Sequence, residues 1–184
     1  MKSKAELRRK AAALRRAMTV EERKKASARI AERLFSLKEW REASSVFLYY
    51  GCSDEVSTES IIDRGLADGK EVMLPKVISE EEMVFINISS RDDLITGAYG
   101  IPEPKDNGSY AYGADLLVIP CVGIDIKGNR IGHGKGYYDR YLDRLSGITK
   151  ICLAFETQIV EEFEADITDV KIEKVITEKR VIEV

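Results

Sequence analysis

Apolar positions along this chain switch repeatedly between helical and extended spacing. Residues 2 to about 17, rich in Ala, Leu, Lys and Arg, predict a first helix. Thr19, followed three residues later by Glu22, forms a capping box that opens a second helix running to about Ser36. The run Ser45-Val46-Phe47-Leu48-Tyr49-Tyr50 is almost continuously apolar and ends at Gly51, the pattern of a strand buried on both faces. A helix from about Thr58 to Asp68, closed by Gly69, precedes a strand at Glu71-Val72-Met73-Leu74-Pro75. Met83 to Ile88 predicts another strand, with less regular alternation.

Residues 89–113 contain Gly97, Gly100, Pro102, Pro104, Gly108 and Gly113, and read as one long irregular segment. Segments of that length are usually functional or disordered. Leu116-Leu117-Val118-Ile119-Pro120 is the most buried-looking strand. Tyr138, Tyr141, Leu142 and Leu145 recur at helical spacing, which predicts a helix from Tyr137 to Leu145. Further strands are expected at Ile151 to Phe155, Lys174 to Thr177 and Arg180 to Val184.

Strands alternating with helices predict an α/β fold in a single domain over residues 1–184. Its sheet should be mostly parallel with helices on both faces, a three-layer αβα, Rossmann-like arrangement. Ligands of such sheets bind beyond the carboxyl ends of the strands. The segments Tyr50 to Glu55, the glycine-rich stretch from Gly128 to Gly136 and Phe155 to Gln158 all follow strands and should meet there.

At 184 residues the chain can bury one sizeable core, and 44% hydrophobic with 33% charged residues is ordinary for a globular protein. A net charge of −3 argues against broad nucleic-acid binding. Cys52, Cys121 and Cys152 lie in or beside apolar runs and read as reduced thiols of a cytoplasmic protein. The amino terminus has no apolar core of the kind a signal peptide needs. The stretch from Leu116 to Ile124, broken by Pro120 and Gly123, is far too short to span a bilayer, so no membrane is expected. His133 is the only histidine, and with no paired cysteines a structural zinc site is not expected.

Candidate chemistry concentrates in Gly128-Asn129-Arg130-Ile131-Gly132-His133-Gly134-Lys135-Gly136-Tyr137-Tyr138-Asp139-Arg140. Four glycines in nine positions let the backbone adopt positive φ and approach a ligand closely. A glycine loop opening into a helix gathers free N–H groups and the positive end of the helix dipole, and Arg130 and Lys135 add fixed charge. That combination suits a phosphate. It is not a Walker A loop, because Gly136 follows Lys135, nor the dinucleotide fingerprint, because Tyr137 stands at the third glycine. An exposed glycine turn with solvated bases is the ordinary alternative.

The loop closely resembles the phosphate loop of the 5-formyltetrahydrofolate cyclo-ligase family, also called 5,10-methenyltetrahydrofolate synthetases. Four other segments resemble family motifs in family order: Lys4-Ala-Glu-Leu-Arg8, Asp54-Glu55-Val56-Ser57-Thr58, Gly100-Ile101-Pro102-Glu103-Pro104 and Asp169-Val170-Lys171-Ile172-Glu173. The resemblance implies an enzyme using ATP and Mg²⁺ to convert 5-formyltetrahydrofolate, with or without a polyglutamate tail, to 5,10-methenyltetrahydrofolate with release of ADP and phosphate. Lys4 and Arg8 would reach the ATP phosphates, together with Arg130, Gly132, His133, Gly134, Lys135, Gly136, Tyr137 and Tyr138. Arg130, Lys135 and Tyr137 would carry the catalytic roles. Tyr50, Glu55, Ile101, Pro102, Glu103 and Pro104 would face the folate.

Asp139 sits in the first turn of the loop helix, where an acid is favourable on dipole grounds alone. Beside a phosphate it would repel the ligand unless a cation lay between them, which points to Mg²⁺. By resemblance Asp169 is the second carboxylate; on residues alone it is one acid among Glu161, Glu162, Glu164, Asp166 and Glu173. Arg9, Lys10, Arg15 and Arg16 are read as solvated. Some family members carry Arg at the place of His133, so its phosphate contact stays open. A monomer is expected. Two other classes remain as alternatives, a non-catalytic sugar-phosphate-sensing α/β domain and an RNA-binding protein led by its basic first helix.

Overall fold

The computed structural model describes residues 3–145, 147–166 and 169–184. Helices α1 (Lys4–Ala17) and α2 (Val20–Ser36) each start from a complete capping box. The hydroxyl of Ser3 or Thr19 accepts from the backbone three residues on, and Glu6 or Glu22 reaches back to the cap. Residue 2, where the sequence placed the first start, lies outside the described residues. The same box holds the Glu22 carboxyl below its usual pKa, through hydrogen bonds from Thr19. Thr19→Ala is expected to cost about 1 kcal/mol. Urea unfolding should show this as a lower midpoint with an unchanged slope.

A short helix that the spacing did not predict, α3 (Lys38–Glu42), buries Trp40. Next come β1 (Ser45–Phe47), α4 (Glu59–Ala67), β2 (Glu71–Val77) and β3 (Met83–Ile88). The chain continues through β4 (Leu94–Thr96), β5 (Pro102–Pro104), β6 (Leu116–Pro120), β7 (Gly123–Ile124) and β8 (Arg130–Ile131). It closes with α5 (Tyr137–Leu142), β9 (Thr149–Leu153), β10 (Lys174–Ile176) and β11 (Val181–Glu183).

Seven strands form one sheet in the order β11-β10-β9-β6-β1-β2-β3. The five inner strands run parallel, while β3 and β11 pair antiparallel at the edges. Alternate residues of each strand enter different cores. Val46, Leu116, Val118, Val72 and Ile151 pack with α2, α3 and α4 residues such as Ile30, Trp40 and Ile61. Phe47, Leu117, Ile119, Met73 and Cys152 pack on the other side with Tyr141 and Leu142 of α5. Period-two alternation thus sorts side chains into two helix-covered faces, the three-layer α/β arrangement expected.

Several boundaries differ from the spacing. The strand expected to reach Tyr50 stops pairing as β1 at Phe47, and Leu48 makes one more bond, to the Met73 carbonyl at 2.9 Å. Beyond it Thr58 takes over the backbone, donating to the Tyr49 carbonyl at 2.6 Å and accepting from the Gly51 N–H at 2.9 Å. A side chain on Gly51 would meet the Val56 carbonyl at 2.1 Å, so only glycine fits this turn. Conversely, β2 runs through Pro75 to Val77. Pro75, which has no N–H to offer, stands just past the last β1 pairing, at Met73, and so marks where that pairing ends. The segment 89–113 is not wholly irregular, since β4 and β5 form a hairpin there. The loop helix ends at Leu142 instead of Leu145.

Candidate functional site

Chain order around the sheet reverses between β1 and β6, which is where ligands enter open α/β sheets. A cavity of about 580 Å³ opens there. The loop after β1 supplies Tyr50, Cys52 and Glu55, while Pro120 closes the end of β6. The glycine loop contributes every residue from Gly132 to Asp139, and Arg130 of β8 stands beneath it. Lys4 and Arg8 reach in from α1, Ile101, Pro102 and Glu103 from the β4–β5 side, and Asp169 from the segment before β10. Six segments distant in sequence therefore share one cavity. Pro104, expected with them, does not line it; it is buried in β5 opposite Leu94.

The loop's conformation needs its glycines at two places. Gly136 has φ +71° and caps α5 in the left-handed region, and Gly134 has φ +92°. Gly132 is required for a different reason: a side chain there would meet the Arg130 guanidinium at 2.7 Å. Arg130 is itself buried, with 6% of its surface exposed. Its Nη2 donates to Asp139 Oδ1 at 2.7 Å and its guanidinium lies 5.9 Å from the Tyr138 ring centre, yet its Nε has no partner. Burial pushes the Tyr138 hydroxyl upward in pKa, with the Glu55 charge adding to it. A neutral phenol therefore faces the cavity at all physiological pH.

Lys135 is exposed, its Nζ 5.8 Å from the ring centre of Tyr99. Tyr137 donates to the Ser79 carbonyl at 3.2 Å and lies 3.4 Å from the Tyr99 hydroxyl. Tyr99, which the sequence did not single out, holds φ +59°, a left-handed conformation uncommon for a non-glycine residue.

Helix α1 ties two of these segments together. Arg8 Nε donates to the Gly132 carbonyl at 3.0 Å. Lys4 Nζ bonds Asp169 and, at 2.9 Å, Asp166. Burial works against the Lys4 charge, but hydrogen bonds to Asp169 and Asp166 outweigh it and raise its pKa, while the bond from Lys4 lowers that of Asp166. Arg15, read from sequence as solvated, is buried at 4% exposure and holds Asp54 with two hydrogen bonds of 3.1 Å each.

Glu55 is held from two sides. Oε2 accepts from the Cys52 N–H at 3.2 Å, and Oε1 lies 3.0 Å from His133 Nε2. The only histidine thus pairs with an acid of the neighbouring loop. Burial, then the Glu55 carboxylate, pushes the Cys52 thiol up to about 11, so it stays protonated. Glu103 lines the cavity but turns its carboxylate towards β2, within 3.5 Å of the Val77 N–H and 3.9 Å of Lys76 Nζ. These contacts tie the β4–β5 hairpin to β2. Among the described residues, no three His, Cys, Asp or Glu side chains gather as a metal cage, and no helix is long and apolar enough to cross a membrane.

Comparisons with known proteins cover almost the whole chain. The 5-formyltetrahydrofolate cyclo-ligase family matches residues 1–178. A probable 5-formyltetrahydrofolate cyclo-ligase of Caenorhabditis elegans is 32% identical, covering 97% of this chain and 94% of its own. The NMR structure of Aquifex aeolicus 5,10-methenyltetrahydrofolate synthetase superposes with a TM-score of 0.87 at 35% identity, covering 98% of this chain and 92% of that one. A 5,10-methenyltetrahydrofolate synthetase from Mycoplasma pneumoniae gives a TM-score of 0.78 at 26% identity, with 96% and 99% covered. On a match of this extent, joined to a glycine loop, basic helix and acidic loop around one cavity, the chain belongs to the 5-formyltetrahydrofolate cyclo-ligase family.

Proposed function

We propose that this chain closes 5-formyltetrahydrofolate to 5,10-methenyltetrahydrofolate, consuming ATP in the presence of Mg²⁺ and releasing ADP and phosphate. The observation that carries the reading is the buried Arg130, whose Nε has no partner, in a cavity shared with Glu55. A guanidinium buried with an idle donor calls for an anion, and an ATP phosphate is the anion the family's reaction brings.

In this reaction the formyl oxygen attacks the γ-phosphorus and ADP leaves. The neighbouring folate nitrogen then attacks the activated carbon, loses its proton, and inorganic phosphate departs. No covalent bond to the enzyme is needed. The chain's work is alignment and charge neutralisation. Arg130, Lys135 and the loop N–H groups would hold the phosphates, with Lys4 and Arg8 beside them. Tyr137 and Tyr138 would border the transferred group, and Glu55 would accept hydrogen bonds from the pterin amino groups. Tyr50, Ile101 and Pro102 would wall the folate.

Asp139 and Asp169 share the cavity, but each already meets a base, Arg130 or Lys4. Two carboxylates without a third suit Mg²⁺ only when phosphate oxygens complete its shell, which is its usual mode. Bound there, the ion would neutralise charge on the ATP phosphates.

The test is the absorbance of methenyltetrahydrofolate as it forms. Product should appear only when 5-formyltetrahydrofolate, ATP and Mg²⁺ are all present. Equal rates without ATP would sink the ligase reading. Binding of phosphate or sugar phosphate without Mg²⁺, and no product at all, would favour a phosphate-sensing domain instead.

A further inference from the structure

We propose that Arg15 is a positioning residue for Glu55, acting through Asp54, so that α1 sets the distance between the folate and phosphate halves of the cavity. The inference rests on the folate-facing role of Glu55 proposed above.

Leu7, Ala11 and Arg15 recur every four residues on α1, and all three are buried. An arginine on that stripe is costly to bury unless its charge is matched. The match is a two-pronged bond: Nε donates to Asp54 Oδ2 and Nη2 to Oδ1, both at 3.1 Å. Nη1 also reaches the Cys121 carbonyl, at 3.4 Å, just past β6. Arg15 therefore ties the loop after β1 to the residue just past β6, on the two sides of the reversal point. The exposed Arg16, 3.8 Å from Asp54 with 73% of its side chain accessible, adds little to this bond.

The gripped loop needs an outside tie. Ser53 holds φ +54°, a conformation that costs free energy unless its surroundings impose it. Asp54, next in sequence, is the residue that Arg15 fastens, and Glu55 follows directly. Glu55 thus takes its place from a bond made one residue away. Farther along the same helix, Arg8 holds the Gly132 carbonyl and Lys4 holds Asp169. One rigid helix consequently fixes the phosphate loop at one end and the Glu55 loop at the other. Transfer from ATP to the formyl oxygen depends on that separation, because misplacing a reacting group by about 1 Å costs up to about a hundredfold in rate.

Steady-state kinetics of Arg15→Met and Asp54→Asn test this, with both substrates varied. The expected result is a folate KM raised by about tenfold or more, the scale of a misplaced binding group, with the ATP KM near wild type. Arg15→Lys, which keeps the charge but loses the fork, should recover part of the loss. The double variant Arg15→Met, Asp54→Asn should be no worse than the poorer single one, since both break one bond. Arg9→Met, on the exposed face, should match wild type. If Arg15→Met does not fold, Asp54→Asn decides alone, because it keeps the shape and the Arg15–Cys121 contact. If kcat falls with both KM values unchanged and the folded fraction seen by circular dichroism falls in proportion, the variants only lose folded protein and the proposal is overturned. A parallel rise in both KM values would overturn it too. Absence of ATP-dependent product in the wild type would instead defeat the ligase reading beneath it.

Discussion

Arg130→Met is expected to lower ATP-dependent turnover by about 10²–10⁴-fold, on the basis of two lost charge-assisted hydrogen bonds worth about 3–6 kcal/mol together. The guanidinium has five N–H donors; Asp139 takes one of them, while Nε has no partner within the protein. The guanidinium lines the cavity at only 6% exposure, so a phosphate oxygen bound there would meet its donors in a poorly screened place, where the bond is stronger than at the surface. Folding should respond quite differently. Methionine fills the space of the arginine stem, and Asp139, 27% exposed at its side chain, can turn to water. Breaking a buried pair is costly when the charge left behind stays buried, and the partial exposure of Asp139 relieves that cost. Titration calorimetry should therefore lose the ATP signal while thermal unfolding changes little. Lys135→Ala should cost less, about one charge-assisted bond or 1.5–3 kcal/mol, because its ammonium is exposed and rests only against Tyr99. Wild-type ATP affinity in Arg130→Met would show that its idle donor does not await a phosphate.

Strong periodicity made most of the fold legible. The caps at Thr19, the apolar runs of β1 and β6 and the spacing of α4 each report local energetics that survive packing. What the sequence hid was decided by partners far along the chain. Residues 89–113 look irregular because Pro102 and Pro104 deplete strand propensity, yet β5 pairs only with the three residues of β4 and tolerates them at an edge. Pro104 accordingly packs in that hairpin and leaves the cavity to Ile101 and Pro102. Arg15 and Arg16 are adjacent and chemically identical, and only their helical phase separates them. Leu7, Ala11 and Arg15 carried that signal, but composition outweighed phase in reading the doublet as solvated. The partnership of His133 with Glu55 had no sequence signal, since it joins loops that follow different strands.

Asp139→Asn and Asp169→Asn should each raise the Mg²⁺ concentration needed for half-maximal rate by at least about tenfold, since even indirect contacts to a metal are worth 10- to 100-fold in affinity. Both carboxylates line the cavity, each steadied by a base. Asp169 accepts from Lys4 and, at 2.8 Å, from the Asp166 backbone N–H, and its side chain is only 14% exposed. It is therefore oriented before any ligand arrives. Asp166 shares Lys4 but is 72% exposed, so its bond is largely screened. Asp166→Asn should shift the Mg²⁺ requirement little, because Lys4 keeps its bond to Asp169. If Asp139 and Asp169 hold one ion against the ATP phosphates, the double variant should be scarcely worse than the poorer single one. Measuring rate against Mg²⁺ at saturating ATP separates these cases. An effect at Asp166 in place of Asp169 would place the ligand three residues earlier in the chain. Wild-type Mg²⁺ dependence in both Asp139→Asn and Asp169→Asn would mean that the two acids serve only to orient Arg130 and Lys4, and that the ion is carried by ATP alone.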